Sequence, residues 1–113
     1  MSDCIFCKIA NGEIPTEIVY QDELITVFKD ASPMAPVHVL MVPKVHISSM
    51  DELTEEHSSL ISHMILKIKH IAKILELDNG YRVVINCGED GQQTVKHLHI
   101  HILGKRKMIW PPG

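Results

Sequence analysis

Two periodicities run along this chain, a period of two in several short stretches and a period of three to four in one long one. Ile18–Gln21 and Leu24–Lys29 are β-rich runs around a short turn at Asp22-Glu23, which predicts a hairpin. Residues 30–36 read as a loop, because Pro33 and Pro36 each force extended backbone on the residue before. Val37–Val42 is a further strand, ended by Pro43. Thr54 is placed to cap the one long helix, along which Leu60, Ile61, Met64, Ile65, Ile68, Ile71, Ala72 and Leu75 form an unbroken apolar stripe. Asp78-Asn79-Gly80 is its stop signal. Tyr81–Asn86 reads as a strand, Cys87–Gly91 as a glycine-bounded turn, and His97–Leu103 as the last strand. Residues 5–10 make one short helical turn, halted by Asn11-Gly12. The pattern predicts an α+β domain: a sheet of about five antiparallel strands, one long helix on one face and a short N-terminal helix.

The last strand carries unexpected chemistry. In His97-Leu98-His99-Ile100-His101-Ile102-Leu103 the alternation puts three imidazoles on one face and Leu98, Ile100 and Ile102 on the other. A helix would not do this, since residues two apart on a helix do not share a face. Neighbouring rings in such a row stand roughly 6.5–7 Å apart, so one polar ligand can touch two or three of them. A single histidine on a strand is ordinarily half-exposed surface; three in strict alternation on an apolar strand point to a site. Histidine also supplies nucleophile, acid or base near neutral pH. Elsewhere the pattern is blander. His63 and His70 fall off the helix stripe and His57 lies near its start, all three positions of surface or rim. Leu66 points away from the stripe toward water, a small hint of self-association.

A chain of 113 residues is one domain, spanning residues 1–113, and is long enough to bury a core without covalent staples. A net charge of −3, with Lys105-Arg106-Lys107 as the only basic cluster, argues against a nucleic-acid partner. No stretch approaches the ~20 apolar residues of a membrane span, and the N-terminus lacks the basic and apolar regions of a signal peptide. Three cysteines without an export signal then predict reduced thiols and a cytoplasmic location. Cys4-Ile5-Phe6-Cys7 is a C-x2-C pair, which is half a zinc site, two buried thiols, or a redox pair lacking the βαβ context such pairs have. Spacing alone does not supply two further ligands. Cys87 has no evident partner and reads as packing.

His97 to Leu103 resembles the His-φ-His-φ-His-φ-φ signature of the histidine triad nucleotide-binding family. Ile14-Pro15, Asp30-Ala31-Ser32-Pro33, Ala35-Pro36-Val37-His38, Pro43-Lys44-Val45-His46-Ile47 and the terminal Trp110-Pro111-Pro112-Gly113 resemble its Hint branch, in order and over nearly the whole chain. The resemblance implies the HIT-like fold, a C2 homodimer whose sheets join, and a nucleotide pocket over the histidine strand. It implies hydrolysis at the α-phosphorus of purine nucleoside phosphoramidates or adenylates through a nucleotidyl-histidine, releasing a nucleoside monophosphate. By the family's pattern His99 is the nucleophile. His101 binds phosphate oxygens or assists the leaving group, and His38 orients and tunes the nucleophile. Thr94 is a hydroxyl near the leaving group, or a turn residue. Asp30 takes both ribose hydroxyls, or else makes an Asx-type turn before Pro33. Phe6, Ile9, Phe28 and Ala31 match base-walling positions, and Asn86 and Gln93 match polar phosphate or ribose contacts.

The same resemblance completes the half zinc site. Some bacterial members, and the related galactose-1-phosphate uridylyltransferases, hold zinc with such a cysteine pair plus histidines matching His46 and His97. That implies a structural zinc on Cys4, Cys7, His46 and His97, with His97 a ligand rather than a catalyst, and no organic cofactor. Two other readings compete with the hydrolase: a nucleotide-binding regulatory module with incidental hydrolysis, and a metalloenzyme in which His97, His99 and His101 share one catalytic ion. Strand spacing disfavours the latter, because ligands in a straight row do not converge easily. Gln92 stands where the branch commonly has glycine, Thr94 where it has serine and Ile109 where it has histidine; the last two positions bear on the leaving group. The resemblance also has Trp110 reach across the dimer.

Overall fold

The structure, a computed structural model, describes residues 3–113. A short helix α1, Ile5–Ala10, leads into the hairpin of β1, Ile18–Gln21, and β2, Ile25–Lys29. β3, Val37–Pro43, and the long helix α2, Ser58–Ile74, follow, and β4, Tyr81–Val84, and β5, Ile100–Gly104, close the domain. The five strands form one antiparallel sheet in the order β1-β2-β3-β5-β4. The two histidine-bearing strands therefore lie side by side at its centre, with Leu40 opposite His101 and His38 opposite Leu103.

Each face of the sheet buries its own cluster. Toward α2, Ile25, Val27, Val39, Met41, Ile100 and Ile102 pack against Leu60, Met64, Ile68, Ile71 and Ala72. Toward α1, Phe28, Leu40 and Val42 pack against Phe6, Ile9 and Ala10. Both faces are covered, so β2 and β3 read as apolar runs rather than clean alternation. Among the described residues no helix is long and apolar enough to cross a membrane.

Four expectations shift. The last strand begins at Ile100, not His97. Continuing the β3–β5 register would set Leu98 opposite Pro43, which has no N–H to donate, and the Leu98 N–H turns to the Ile47 carbonyl at 2.7 Å. β4 ends two residues before Asn86. Thr54 caps a 3₁₀ turn, Glu55–His57, that runs directly into α2, and His57 completes the capping box by accepting the Thr54 N–H at 3.0 Å. Ile65, counted in the stripe, is 47% exposed on its shoulder; Leu66 is 75% exposed, as its position off the stripe predicts.

The helix also stops before Asp78-Asn79-Gly80. Leu77 N–H bonds the Ala72 carbonyl at 2.9 Å and Glu76 N–H the Lys73 carbonyl at 3.1 Å, a Schellman closure. Glu76 is its left-handed residue, with φ 59°, where glycine is the usual occupant. Leu77 is buried against the core, and this contact ends the helix despite the unfavourable residue. Glu76→Gly should therefore stabilise the fold by about 0.5–1 kcal/mol in urea unfolding, relief of left-handed strain exceeding the added unfolded-state entropy. An unchanged or lowered midpoint would count against that strain.

Candidate functional site

Four side chains from three separate segments converge at one end of the sheet. Cys4 is the N-cap of α1 and Cys7 lies in its first turn. His46 follows β3, and His97 precedes β5. Their donor atoms all lie within 4.8 Å of one another. His97 Nδ1 is 3.3 Å from Cys4 Sγ, 3.5 Å from Cys7 Sγ and 3.2 Å from His46 Nδ1, and Cys7 Sγ is 3.3 Å from His46 Nδ1. Zinc–nitrogen bonds of about 2.0–2.1 Å and zinc–sulfur bonds of about 2.3 Å give tetrahedron edges of roughly 3.3–3.8 Å. The cluster's spacing fits that figure. His97 is fully buried, and its Nε2–H donates to the Pro43 carbonyl at 2.9 Å, so its Nδ1 lone pair faces the other three donors. Cys4, Cys7 and Cys87 are free thiols, and Cys87 stands apart from this cluster. Burial, then the neighbouring Cys4, pushes the Cys7 thiol up.

The other two triad histidines turn to the α1 face. His99 is 5% exposed, and its Nδ1–H donates to the His97 carbonyl at 2.6 Å, which leaves the lone pair on Nε2. His101 lies 5.1 Å away, ring centroid to ring centroid. Its tautomer follows from a chain of hydrogen bonds. Met34 N–H donates to His38 Nδ1 at 3.0 Å, so the His38 proton is on Nε2 and is given to His101 Nδ1 at 2.9 Å. His101 therefore presents Nε2–H. Side by side stand one imidazole with a free lone pair and one with a free N–H. Burial drives His101 down to about 4, helped by the neighbouring His99 and His38 against the pull of Asp30. Burial also lowers His38, although Asp30 opposes it. Both are neutral near pH 7.

The remaining expected residues gather around this pair unequally. Asp30 makes the Asx turn, its Oδ1 accepting the Ser32 N–H at 2.7 Å, while Oδ2 lies 3.4 Å from His38 Nε2. Phe6 and Phe28 meet edge to face at 5.5 Å, with Ile9 in the same cluster. Ala31 and Thr94 are exposed on loops. Asn86 and Gln93 spend their amides on the protein. Asn86 Nδ2 donates to the Gly91 carbonyl at 2.7 Å; Gln93 Nε2 donates to Ser48 and Val95 carbonyls, and its Oε1 accepts the Gly88 N–H. Gln92, at a position where the resemblance has glycine, takes φ 63°. His63 bonds Asp22 Oδ2 at 2.8 Å and His70 meets Tyr20 edge to face, so both belong to the α2 surface. His97, His99 and His101 do not converge on one point: His97 joins the cysteines, and His101 groups with Asp30 and His38. The Pro43 carbonyl, the Met34 N–H and the His97 carbonyl do as much here as any side chain, and backbone groups leave no mark in a sequence. A concavity of about 730 Å³ at the end of α2, between Glu76–Gly80 and Lys105–Lys107, holds none of these groups.

A family model described as "Scavenger mRNA decapping enzyme C-term binding" matches residues 3–110. An uncharacterized HIT-like protein of Synechococcus elongatus is 52% identical over 111 residues, covering 98% of this chain and 97% of that protein. A HIT family hydrolase of Legionella pneumophila superposes with a TM-score of 0.95 at 43% identity, covering 97% of this chain and 99% of the other. A Zn-bound histidine triad family protein of Mycobacterium smegmatis superposes with a TM-score of 0.78 at 30% identity, covering 94% of this chain and 77% of the other.

His101 is neutral in the fold but would titrate at its ordinary 6.5 once unfolded. The unfolded chain thus binds a proton that the fold refuses. Stability is full above about pH 6.5 and falls as the pH drops toward 4. Urea midpoints measured across that window should decline, and His101→Gln should flatten the decline; an equally steep slope in the variant would refute this assignment.

Proposed function

The chain belongs to the histidine triad (HIT) family, and from that premise we propose that it is a nucleotide-binding hydrolase of the Hint type. The substrate class is a purine nucleoside phosphoramidate or adenylate, cut at its α-phosphorus. The observation that carries this reading is the pairing of tautomers, His99 with a free Nε2 lone pair beside His101 with a free Nε2–H.

In the first step the His99 Nε2 lone pair attacks phosphorus, the bond to the leaving group breaks, and a nucleotidyl-histidine forms. His101 Nε2–H hydrogen-bonds a phosphate oxygen or the departing atom. His38 holds the His101 ring and is held in turn by the Met34 N–H. Water then displaces His99 from phosphorus and the nucleoside monophosphate leaves. Asp30 Oδ2 is the proposed ribose acceptor, Phe6, Ile9, Phe28 and Ala31 the base walls, and Thr94, Asn86 and Gln93 the polar rim. An apolar base pocket would prefer purines without demanding one.

Zinc is the proposed ion for Cys4, Cys7, His46 and His97; when bound it supplies a closed structural staple, not a reacting group. The proposed assembly is a homodimer in the cytoplasm. Among the described residues β4 pairs only with β5, and exposed Tyr81 and Val83 lie on that edge strand, with Ile65 and Leu66 exposed on α2. A free edge beside an apolar surface suits continuation of the sheet into a second copy.

Acid-quenched turnover of an adenosine phosphoramidate should trap a mass increment of one nucleotidyl group on His99. His99→Ala should lose both the adduct and AMP release, and His101→Ala should slow release by about 10²–10⁴-fold. AMP binding with no release above the His99→Ala background would leave the regulatory-module reading instead. Removal of Trp110–Gly113, whose Ile109–Trp110 approach is exposed, should change leaving-group preference more than adenosine affinity; equal losses would sink a role for the tail in leaving-group choice.

A further inference from the structure

Phe6 sits between the two cysteines of the four-donor cluster and inside the histidine face at once. Its ring stands nearly perpendicular to His99, at 5.1 Å and 85°, and to His97, at 6.1 Å and 71°. The hydrogen bond from His99 Nδ1 to the His97 carbonyl fixes one point of the imidazole, and a ring held at one point can still swing about it. The Phe6 ring, packed edge to face on the imidazole, is a second point of contact that can oppose such a swing. What holds Phe6 is α1, a helix of six residues, too short to persist in water without tertiary anchors. Its anchors toward β5 are Cys4 and Cys7, whose sulfurs face His46 and His97. His97 thus reaches His99 twice, through its own carbonyl and through the cysteine cluster that seats Phe6.

We propose that Phe6 is a positioning residue for His99, and that occupancy of the Cys4–Cys7–His46–His97 cluster by a divalent cation sets the orientation of the His99 ring. The cluster then governs the reactivity of the site as well as the stability of the fold. The kinetic part rests on the hydrolase reading; the spectroscopic part does not. The base-walling role of Phe6 carries a separate signature: loss of wall contact raises KM and leaves the His99 ring unmoved, whereas loss of positioning lowers kcat and moves the ring, and an apolar replacement keeps the wall.

The test uses the full chain loaded with one equivalent of Zn²⁺. Phe6→Leu keeps all four donors and an apolar side chain. Its zinc stoichiometry should stay at one, kcat should fall about ten- to a hundredfold, and KM should move less than about threefold. The ring ¹⁵N resonances of His99, assigned by their loss in His99→Asn, should shift toward averaged tautomers. Phe6→Met serves if the leucine variant fails to fold. Independently of any variant, chelating zinc from the wild type should move the same resonances, and returning zinc should restore them. Unmoved His99 resonances in both the variant and the stripped protein, with only the melting temperature lowered, would overturn the proposal, as would a wild-type chain that takes up no zinc. Resonances that move in a protein without turnover would uphold the positioning role and discard the hydrolase reading.

Discussion

The histidine face depends on one backbone oxygen. The His97 carbonyl takes the Nδ1–H of His99 at 2.6 Å, and a neutral imidazole has only one proton to give. With Nδ1 committed, Nε2 must carry the lone pair, and it does so without waiting for substrate. That oxygen is where it is because His97 is fixed at its other end, Nε2–H on the Pro43 carbonyl and Nδ1 among the cysteines. Proline at the end of β3 is part of the same device. The ladder with β5 stops inside the triad, after His101 and Ile100, which leaves His97 outside the strand with its ring among the cysteines.

The two faces of the sheet divide the labour accordingly. The α2 face is a dry core of branched and sulfur-bearing side chains, with Val27, Met41, Met64, Ile71 and Ile102 wholly buried, and it makes β3 and β5 rigid. The α1 face is smaller and mixes aromatic rings with polar groups, so its order comes from specific contacts rather than bulk burial. Rings held from behind by a stiff sheet need few restraints in front. That is how a domain of this size keeps three buried histidines in defined tautomers.

Much of this was legible in the residues. The three-four stripe of α2, the hairpin around Asp22 and the core-facing Leu98, Ile100 and Ile102 all followed from periodicity, because each element buries a face whose spacing is fixed by its own geometry. The grouping of Cys4 and Cys7 with His46 and His97 did not follow from spacing, since those ligands lie 39 to 93 residues apart; it came from likeness to other chains. α2 ends ahead of Asp78-Asn79-Gly80 because Leu77 burial overrides the local preference for glycine at position 76. Alternation alone predicts one straight strand through the triad, because a sequence does not reveal that Pro43 would stand opposite Leu98. The loop-tying bonds of Asn86 and Gln93 are likewise invisible in a sequence, since an amide suited to a ligand is equally suited to a backbone carbonyl.

Neutral imidazoles also weigh on which proposed activity the site favours. A pocket that only holds a phosphate gains from cations, because an opposite charge at close range is worth more than a dipole. Burial here pushes His38 and His101 the other way, so His101 would meet a phosphate uncharged, with an uncharged His38 behind it. That sacrifices affinity in the ground state. It is useful where charge develops as the reaction proceeds, since a neutral ring already aimed by its neighbours can give its hydrogen bond where that charge appears. Asp30, 3.4 Å from His38 Nε2, opposes full passage of the shared proton from His38 to His101, since a neutral His38 that lost it would become an imidazolate; His101 therefore acts through its hydrogen bond, with His38 as the group that holds it.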